Sequence, residues 1–300
     1  MPINFSTSTG FSPWRPACWL RVTGEDAASF LQGQFTNDLR ALASTRAVYG
    51  LWLTVKGKVL ADSFVVAGGS PQAFWIGSYF SPAGVVRERL ESHVIADDVI
   101  VEDETAQWTG LSIGGDAGNT LLAEAPPGAV VFPGRRDRAA MVECVYPVAQ
   151  GEPGWVAELR AVARPLDAED MERRRILAGI PAVPVEIGPG DLPNEGGLEA
   201  DGISYTKGCY LGQEVMARLK AMGQVRRRLL RVRGTGMERP ALPAPVFVGA
   251  RQVGELRSAV EDGAGGWIGL ALLTLMHVPA GTALALAADA PPTLHLDVAP

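Results

Sequence analysis

Two segments of alternating apolar residues, Val48 to Val55 and Val59 to Val66, are separated only by Lys56-Gly57-Lys58. Alternation sends successive side chains to opposite faces of a strand, and a short connection with a central glycine folds two strands into a hairpin. A hairpin imposes antiparallel pairing, so a purely parallel sheet is excluded here. Gly68-Gly69-Ser70-Pro71 then turns the chain into Phe74-Trp75-Ile76. A helix is expected over Pro82 to His93, with Val85, Val86, Leu90 and His93 toward one side. Strand, strand, strand, helix predicts an α+β fold rather than a doubly wound parallel sheet.

Upstream, a strand is expected at Cys18 to Val22. A helix follows, started by Thr23-Gly24-Glu25-Asp26 through a Thr with a carboxylate three residues later, and carrying Ala27, Phe30, Leu31 and Phe35 on one face. Gly33 should weaken or end it. Further on, Leu111 to Ile113, Met141 to Tyr146 and Trp155 to Leu159 read as strands. Asp167 can cap a helix that buries Met171 and Ile176 and stops at Gly179-Ile180-Pro181. Residues 181 to 206, rich in Pro and Gly, predict a long ordered loop of the kind that carries function. From Val225 on, short strands punctuated by Pro and Gly suggest a small β-barrel.

Three hundred residues exceed one usual core, and 47% hydrophobic with 20% charged residues exclude disorder and coiled coil. Twenty-seven basic against 33 acidic residues argue against a surface that tracks nucleic acid throughout. No apolar run is long enough to span a membrane, and Met1 to Gly10 is not a secretory signal. Cys18, Cys144 and Cys209 are odd in number and far apart, as expected in a reducing cytoplasm. His93, His277 and His295 are isolated, so no protein-held metal site is expected.

The densest chemistry is Lys207-Gly208-Cys209-Tyr210-Leu211-Gly212-Gln213-Glu214, directly before a helical stretch to Met222. A Cys beside a lysine and near a helix N-terminus has its thiolate favoured by both positive fields. Such a thiol is a nucleophile, a redox group or a ligand; the blander alternative is a tight loop around an inert Cys. Arg226-Arg227-Arg228, with Arg218, Lys220, Arg231 and Arg233, forms the one local basic cluster. It would suit an anionic ligand, a partner or RNA, or simply a solvated strand face. Trp19, Trp52 and Trp75 sit in strand-like segments and read as core, while Lys56 and Lys58 read as a solvated turn.

The Lys207 to Glu214 string resembles the signature of the YgfZ family, folate-binding relatives of the glycine-cleavage T protein, with every fixed position present. Gly24 to Asp38, Ala178-Gly179-Ile180-Pro181 and Leu192-Pro193-Asn194-Glu195 resemble the same family, in the expected order. The resemblance implies three domains in a ring: residues 1–45 plus 105–222 as a discontinuous folate-binding module, 46–104 as an α+β module, and 223–300 as a C-terminal β-barrel. It also implies a tetrahydrofolate-type ligand contacted by Trp19, Arg175 and Glu195. The implied role is assembly or repair of iron–sulfur clusters in client enzymes, including those that modify transfer RNA. Cys209 and Lys207 would then form the redox or cluster-contacting loop, with Lys207 tuning the thiol. Gly208, Tyr210, Gly212, Gln213 and Glu214 would support it.

Two departures qualify the activity. Ile76 to Gly84, where transferase relatives need an acid for the substrate amine, holds no carboxylate, which counts against aminomethyl transfer. In Arg175-Ile176-Leu177-Ala178-Gly179, Leu177 replaces the carboxylate that would pair a pterin's N–H groups, a loss of about 1.5–3 kcal/mol per charge-assisted bond. Glu186, Glu195 or Glu199 would have to supply an acceptor instead. The expected function is therefore a folate-binding accessory protein for iron–sulfur enzymes, monomeric and cytoplasmic. A folate-dependent aminomethyltransferase is the alternative, and an RNA- or protein-binding module the second, RNA being the less favoured partner.

Overall fold

The computed structural model describes residues 9–223, 225–236 and 238–297. Strand β1 (Gly10–Trp14) leads within a few residues into β2 (Cys18–Thr23), yet the two enter different sheets. Helix α1 (Ala27–Gln34), the hairpin β3 (Ala47–Leu53) and β4 (Val59–Ala67), β5 (Ala73–Ser78), α2 (Ala83–Glu91) and β6 (Ile100–Asp103) follow. They form an antiparallel sheet in the order β3-β4-β5-β2-β6. The expected hairpin is present in register, with Ala47 opposite Val66.

The second sheet comes from β7 (Trp108–Gly114), β8 (Val130–Pro133), β9 (Met141–Pro147) and β10 (Arg164–Pro165), with helices α3 (Asp116–Ala123) and α4 (Gly154–Val162) on one face. Its order is β10-β1-β7-β9-β8, and only β1 with β10 is parallel. Trp155 to Leu159, expected as a strand, lies in α4. Pro153 stands at its N-cap, and Val156 and Leu159, one helical turn apart, are the residues it buries.

Each sheet packs its helices on one face and the other sheet on the opposite face. Along β4, Ala61 and Val65 join the core under α1 and α2, while Phe64 and Val66 face the second sheet. Along β9, Val142, Cys144 and Tyr146 face α3 and α4, while Val145 faces the first sheet. Trp19 sits in that intersheet layer, fully buried against Trp75, Trp108 and Phe132. The expected 45/46 division of modules therefore falls within one sheet, since β2 pairs with β5 and β6.

Helix α5 (Ala168–Ala178) begins as expected: Asp167 Oδ1 accepts the Asp170 N–H at 2.7 Å, and Gly179 ends the helix in the left-handed region. At α1 the capping differs. Asp26 occupies the N-cap, but its carboxylate accepts the Asp98 N–H at 2.8 Å, tying α1 to the loop after α2, and Gly33 lies inside the helix. Val85 is exposed rather than inward.

Residues 181–206 are largely irregular, with a short helix α6 (Glu199–Gly202), and lead into α7 (Gln213–Met222). The third sheet contains β11 (Arg227–Gly234), β12 (Ala244–Val248), β13 (Arg251–Glu261), β14 (Trp267–Thr274) and β15 (Leu294–Leu296), in the order β12-β13-β14-β11-β15. Leu284 bridges Leu294 and Ala285 bridges Phe247, so one short segment joins the two edges and curls the sheet into the expected barrel.

Candidate functional site

The Cys209 loop and the Gly24 to Asp38 string, far apart in sequence, meet. Lys207 Nζ donates to the carbonyls of Gln32 at 2.5 Å, Phe35 at 2.6 Å and Asn37 at 3.0 Å, satisfying one acceptor in the last turn of α1 and two in the segment that leaves it. Thr36 Oγ1 donates to Gly202 O at 2.6 Å, and Asn37 Nδ2 donates to both Tyr49 O and Asp201 O. Burial pushes the Lys207 ammonium down to about 8. Its donors are spent on backbone carbonyls, so Lys207 positions the loop.

Gly208 and Cys209 project into solvent from that anchor, while Tyr210 turns inward. The Gln213 N–H closes the turn on Tyr210 O, and Glu214 is exposed in the first turn of α7, where a carboxylate complements the helix dipole. Gly212 has φ +86°, and a Cβ there would lie 2.8 Å from Thr54 O and 3.3 Å from Gly57 Cα. Gly57 at the hairpin tip is thus packed under α7 and Lys58 Nζ donates to Gly190 O at 2.9 Å, while Val55 and Lys56 stay exposed as a solvated turn would have them.

A second cluster lies where the first two sheets face each other. Asp62 on β4 is buried; Ser78 Oγ and Ser81 Oγ donate to its Oδ1 at 2.8 and 2.7 Å, and Tyr49 OH to its Oδ2 at 3.1 Å. On β9, Glu143 accepts from Tyr79 OH at 2.8 Å and Ser112 Oγ at 2.7 Å. Desolvation raises both carboxyls above their ordinary range. Arg135 lies 4.3 Å over the Tyr49 ring and pairs with Asp201 at 2.7 Å, and Arg136 lies 5.0 Å over Tyr79. The 76–84 segment that lacks a carboxylate therefore wraps around one supplied by the neighbouring strand. Sequence reasoning missed Asp62, whose only signal was an acid, beside Ser63, inside a largely apolar strand.

The expected ligand contacts are placed differently. Trp19 is fully buried and presents no face to a ligand. Arg175 is buried in ion pairs with Glu186 at 2.6 Å and with Glu172, and Glu195 accepts from Leu192 N and pairs with Arg227 at 2.9 Å. Of the three glutamates expected to stand in for a carboxylate at position 177, Glu186 and Glu195 are consumed by arginines. Among the described residues, Glu199 Oε2 is buried with no hydrogen-bond partner, as are Asn194 Oδ1 and Tyr210 OH nearby in the chain. Arg227 turns inward, whereas Arg226 and Arg228 on either side of it are exposed.

The family model described as the GCVT N-terminal domain matches residues 18–131. The human mitochondrial iron-sulfur cluster assembly factor IBA57 is 32% identical over 255 residues, covering 76% of this chain and 70% of the relative. The tRNA-modifying protein YgfZ of Edwardsiella ictaluri (strain 93-146) is 30% identical over 243 residues, covering 76% and 71%. The chain belongs to the YgfZ/IBA57 family. The mouse IBA57 protein agrees, at 31% identity over 276 residues, 85% of this chain and 74% of that one. In fold, this family member is similar to the glycine cleavage system aminomethyltransferase T from Bartonella henselae, with TM-score 0.79 at 14% identity over 97% of this chain and 85% of that structure. The α+β architecture with a terminal barrel is therefore the T-protein fold.

Proposed function

We infer that this protein is a folate-binding accessory factor for iron–sulfur enzymes, and that Cys209 lends one thiolate to a cluster held jointly with a partner. The observation that carries this reading is the presentation of an exposed Cys209 on a loop pinned by three Lys207 hydrogen bonds. Relatives named as an iron-sulfur cluster assembly factor and a tRNA-modifying protein support it. In such a transfer, Cys209 Sγ loses its proton to solvent and forms one iron–sulfur bond as a ligand on the incoming iron leaves; no electron moves. No helix among the described residues is long and apolar enough to cross a membrane. A cytoplasmic place belongs to the same proposal, although the human and mouse relatives are named mitochondrial.

For the folate, the intersheet cluster fits in kind. Asp62 and Glu143 are acceptors for a reduced pterin's N–H groups, Tyr49 and Tyr79 offer flat faces, and the orphaned Glu199 oxygen is a further acceptor. Arg135 and Arg136 cover those two faces and would have to swing aside.

Cys209→Ser is expected to fold normally and to fail in rescuing a strain that lacks the native protein; full rescue would overturn the cluster-contacting role. Titration with reduced folate, followed by tryptophan fluorescence, should saturate and tighten in Arg135→Ala. Absence of binding in both proteins would remove folate from the reading. Asp62 revives the transferase alternative, because a buried carboxyl with raised proton affinity can hold a substrate proton. Aminomethyl transfer by the purified protein that is lost in Asp62→Asn would establish that alternative.

A further inference from the structure

The barrel's arginines divide into two sets. Arg227, Arg231, Arg233, Arg239 and Arg257 each pair with a carboxylate. Among the described residues, Arg226, Arg228 and Arg251 have no carboxylate partner, and Arg251 contacts only His277, at 3.2 Å. These three surround the 275–277 turn, which is tied to β11 by the Leu275 N–H donating to Arg226 O at 3.0 Å. On that turn Met276 is 79% exposed and Leu275 36% exposed. Gly223, Val225, Arg226, Arg228, Leu275 and Met276 line a groove of about 700 Å³ at the C-terminal end of α7.

Uncompensated cations around exposed apolar side chains are unusual for a chain whose net charge is −6. Helix α7 links this groove, which Gly223 lines at its C-terminal end, to the Cys209 loop at its N-terminal end. Glu214, Ala217, Arg218 and Ala221 are exposed at spacings of three and four along α7, forming one stripe from the Cys209 end to the groove. Alanines at two of the four positions keep that stripe flat enough for close approach.

We propose that this groove docks an acidic protein segment that carries an apolar residue, with its parent partner lying along α7 toward Cys209. The proposal rests on the reading that a partner is met at Cys209. The carboxylates pair with Arg226, Arg228 and Arg251, and the apolar residue packs on Leu275 and Met276. Protein is favoured over RNA because the groove is floored by aliphatic side chains and, among the described residues, none that lines it is an aromatic platform for a base.

The test uses a short fluorescein-labelled peptide of glutamate with leucine at helical spacing, a glutamine–leucine control and bulk transfer RNA, read by anisotropy. The acidic peptide should bind the wild type saturably and better than the control. Affinity should fall about tenfold in Arg226→Glu/Arg228→Glu, partially in Arg226→Gln/Arg228→Gln, and clearly in Met276→Asp. Cys209→Ser should leave it unchanged. Equal binding by the wild type and the double charge reversal overturns the proposal. So does transfer RNA binding that needs the arginines but is indifferent to Met276→Asp. Rescue separates the two readings. If Cys209→Ser fails to rescue while the groove variants rescue fully, the groove falls and the thiolate role stands; if Cys209→Ser rescues while the groove variants lose peptide and rescue together, the reverse holds.

Discussion

Lys207 and Asp62 are charged or ionisable groups taken out of water, and what each meets there differs. Lys207 finds three carbonyls. Lys207→Ala leaves those acceptors open, and we expect a loss of about 2–3 kcal/mol in chemical denaturation, with faster hydrogen exchange across 203–212. Unchanged exchange there would refute the anchoring role. Asp62 and Glu143 hold their protons more tightly in the folded state than their ordinary values of 3.8 and 4.5. Their contribution to stability is therefore complete below those values and is lost as pH rises through the raised ones. Asp62→Asn should flatten the decline in stability that begins as pH rises above the ordinary carboxylate value of 3.8, relative to the wild type, measured by denaturant midpoints.

At the scale of elements, the hairpin, the capped α5 and the α7 segment were legible because each rests on a local rule: alternation about a glycine turn, an Asp at the N-cap, a left-handed glycine at the end. Trp155 to Leu159 misled because five residues with apolar groups at every second position satisfy both periods, and Pro153 decided for the helix. Gly212 illustrates how a local requirement serves a contact between elements. Gly212→Ala forces a side chain into the left-handed region and against Thr54 O, and should cost about 1–3 kcal/mol while loosening α7 from the β3–β4 hairpin. Thermal melts together with iodoacetamide labelling of Cys209 would show it; an unchanged melting temperature would count against that packing.

At the scale of the molecule, residues 181–206 join the sheets to the barrel through buried acids. Glu186 pairs with Arg175 from α5, Asp191 with Arg227 and Arg257 from β11 and β13, and Glu195 with Arg227. Removing one partner strands a buried charge, so Arg175→Met, which leaves the fully buried Glu186 unpaired, should destabilise by about 3–5 kcal/mol. Arg227→Ala, whose arginine is more exposed, should cost less and let the barrel unfold ahead of the two sheets. A single calorimetric transition in Arg227→Ala would argue that apolar packing, such as Ile176 against Ile268 and Leu270, couples the units without the ion pairs.

Local order reaches the reader of this chain directly: the antiparallel hairpin, the helix ends, the barrel's short strands and the Lys207 to Glu214 loop follow from spacing and backbone chemistry, and the motif strings carry the family. Burial and pairing do not. Trp19, Arg175 and Glu195 read as ligand contacts until long-range neighbours enclosed them, and Asp62 was only an acid in a largely apolar strand until Ser78, Ser81 and Tyr49 converged on it. Side-chain partners at separations of tens to hundreds of residues are chosen by how the sheets stack, and no periodicity along the chain encodes that choice.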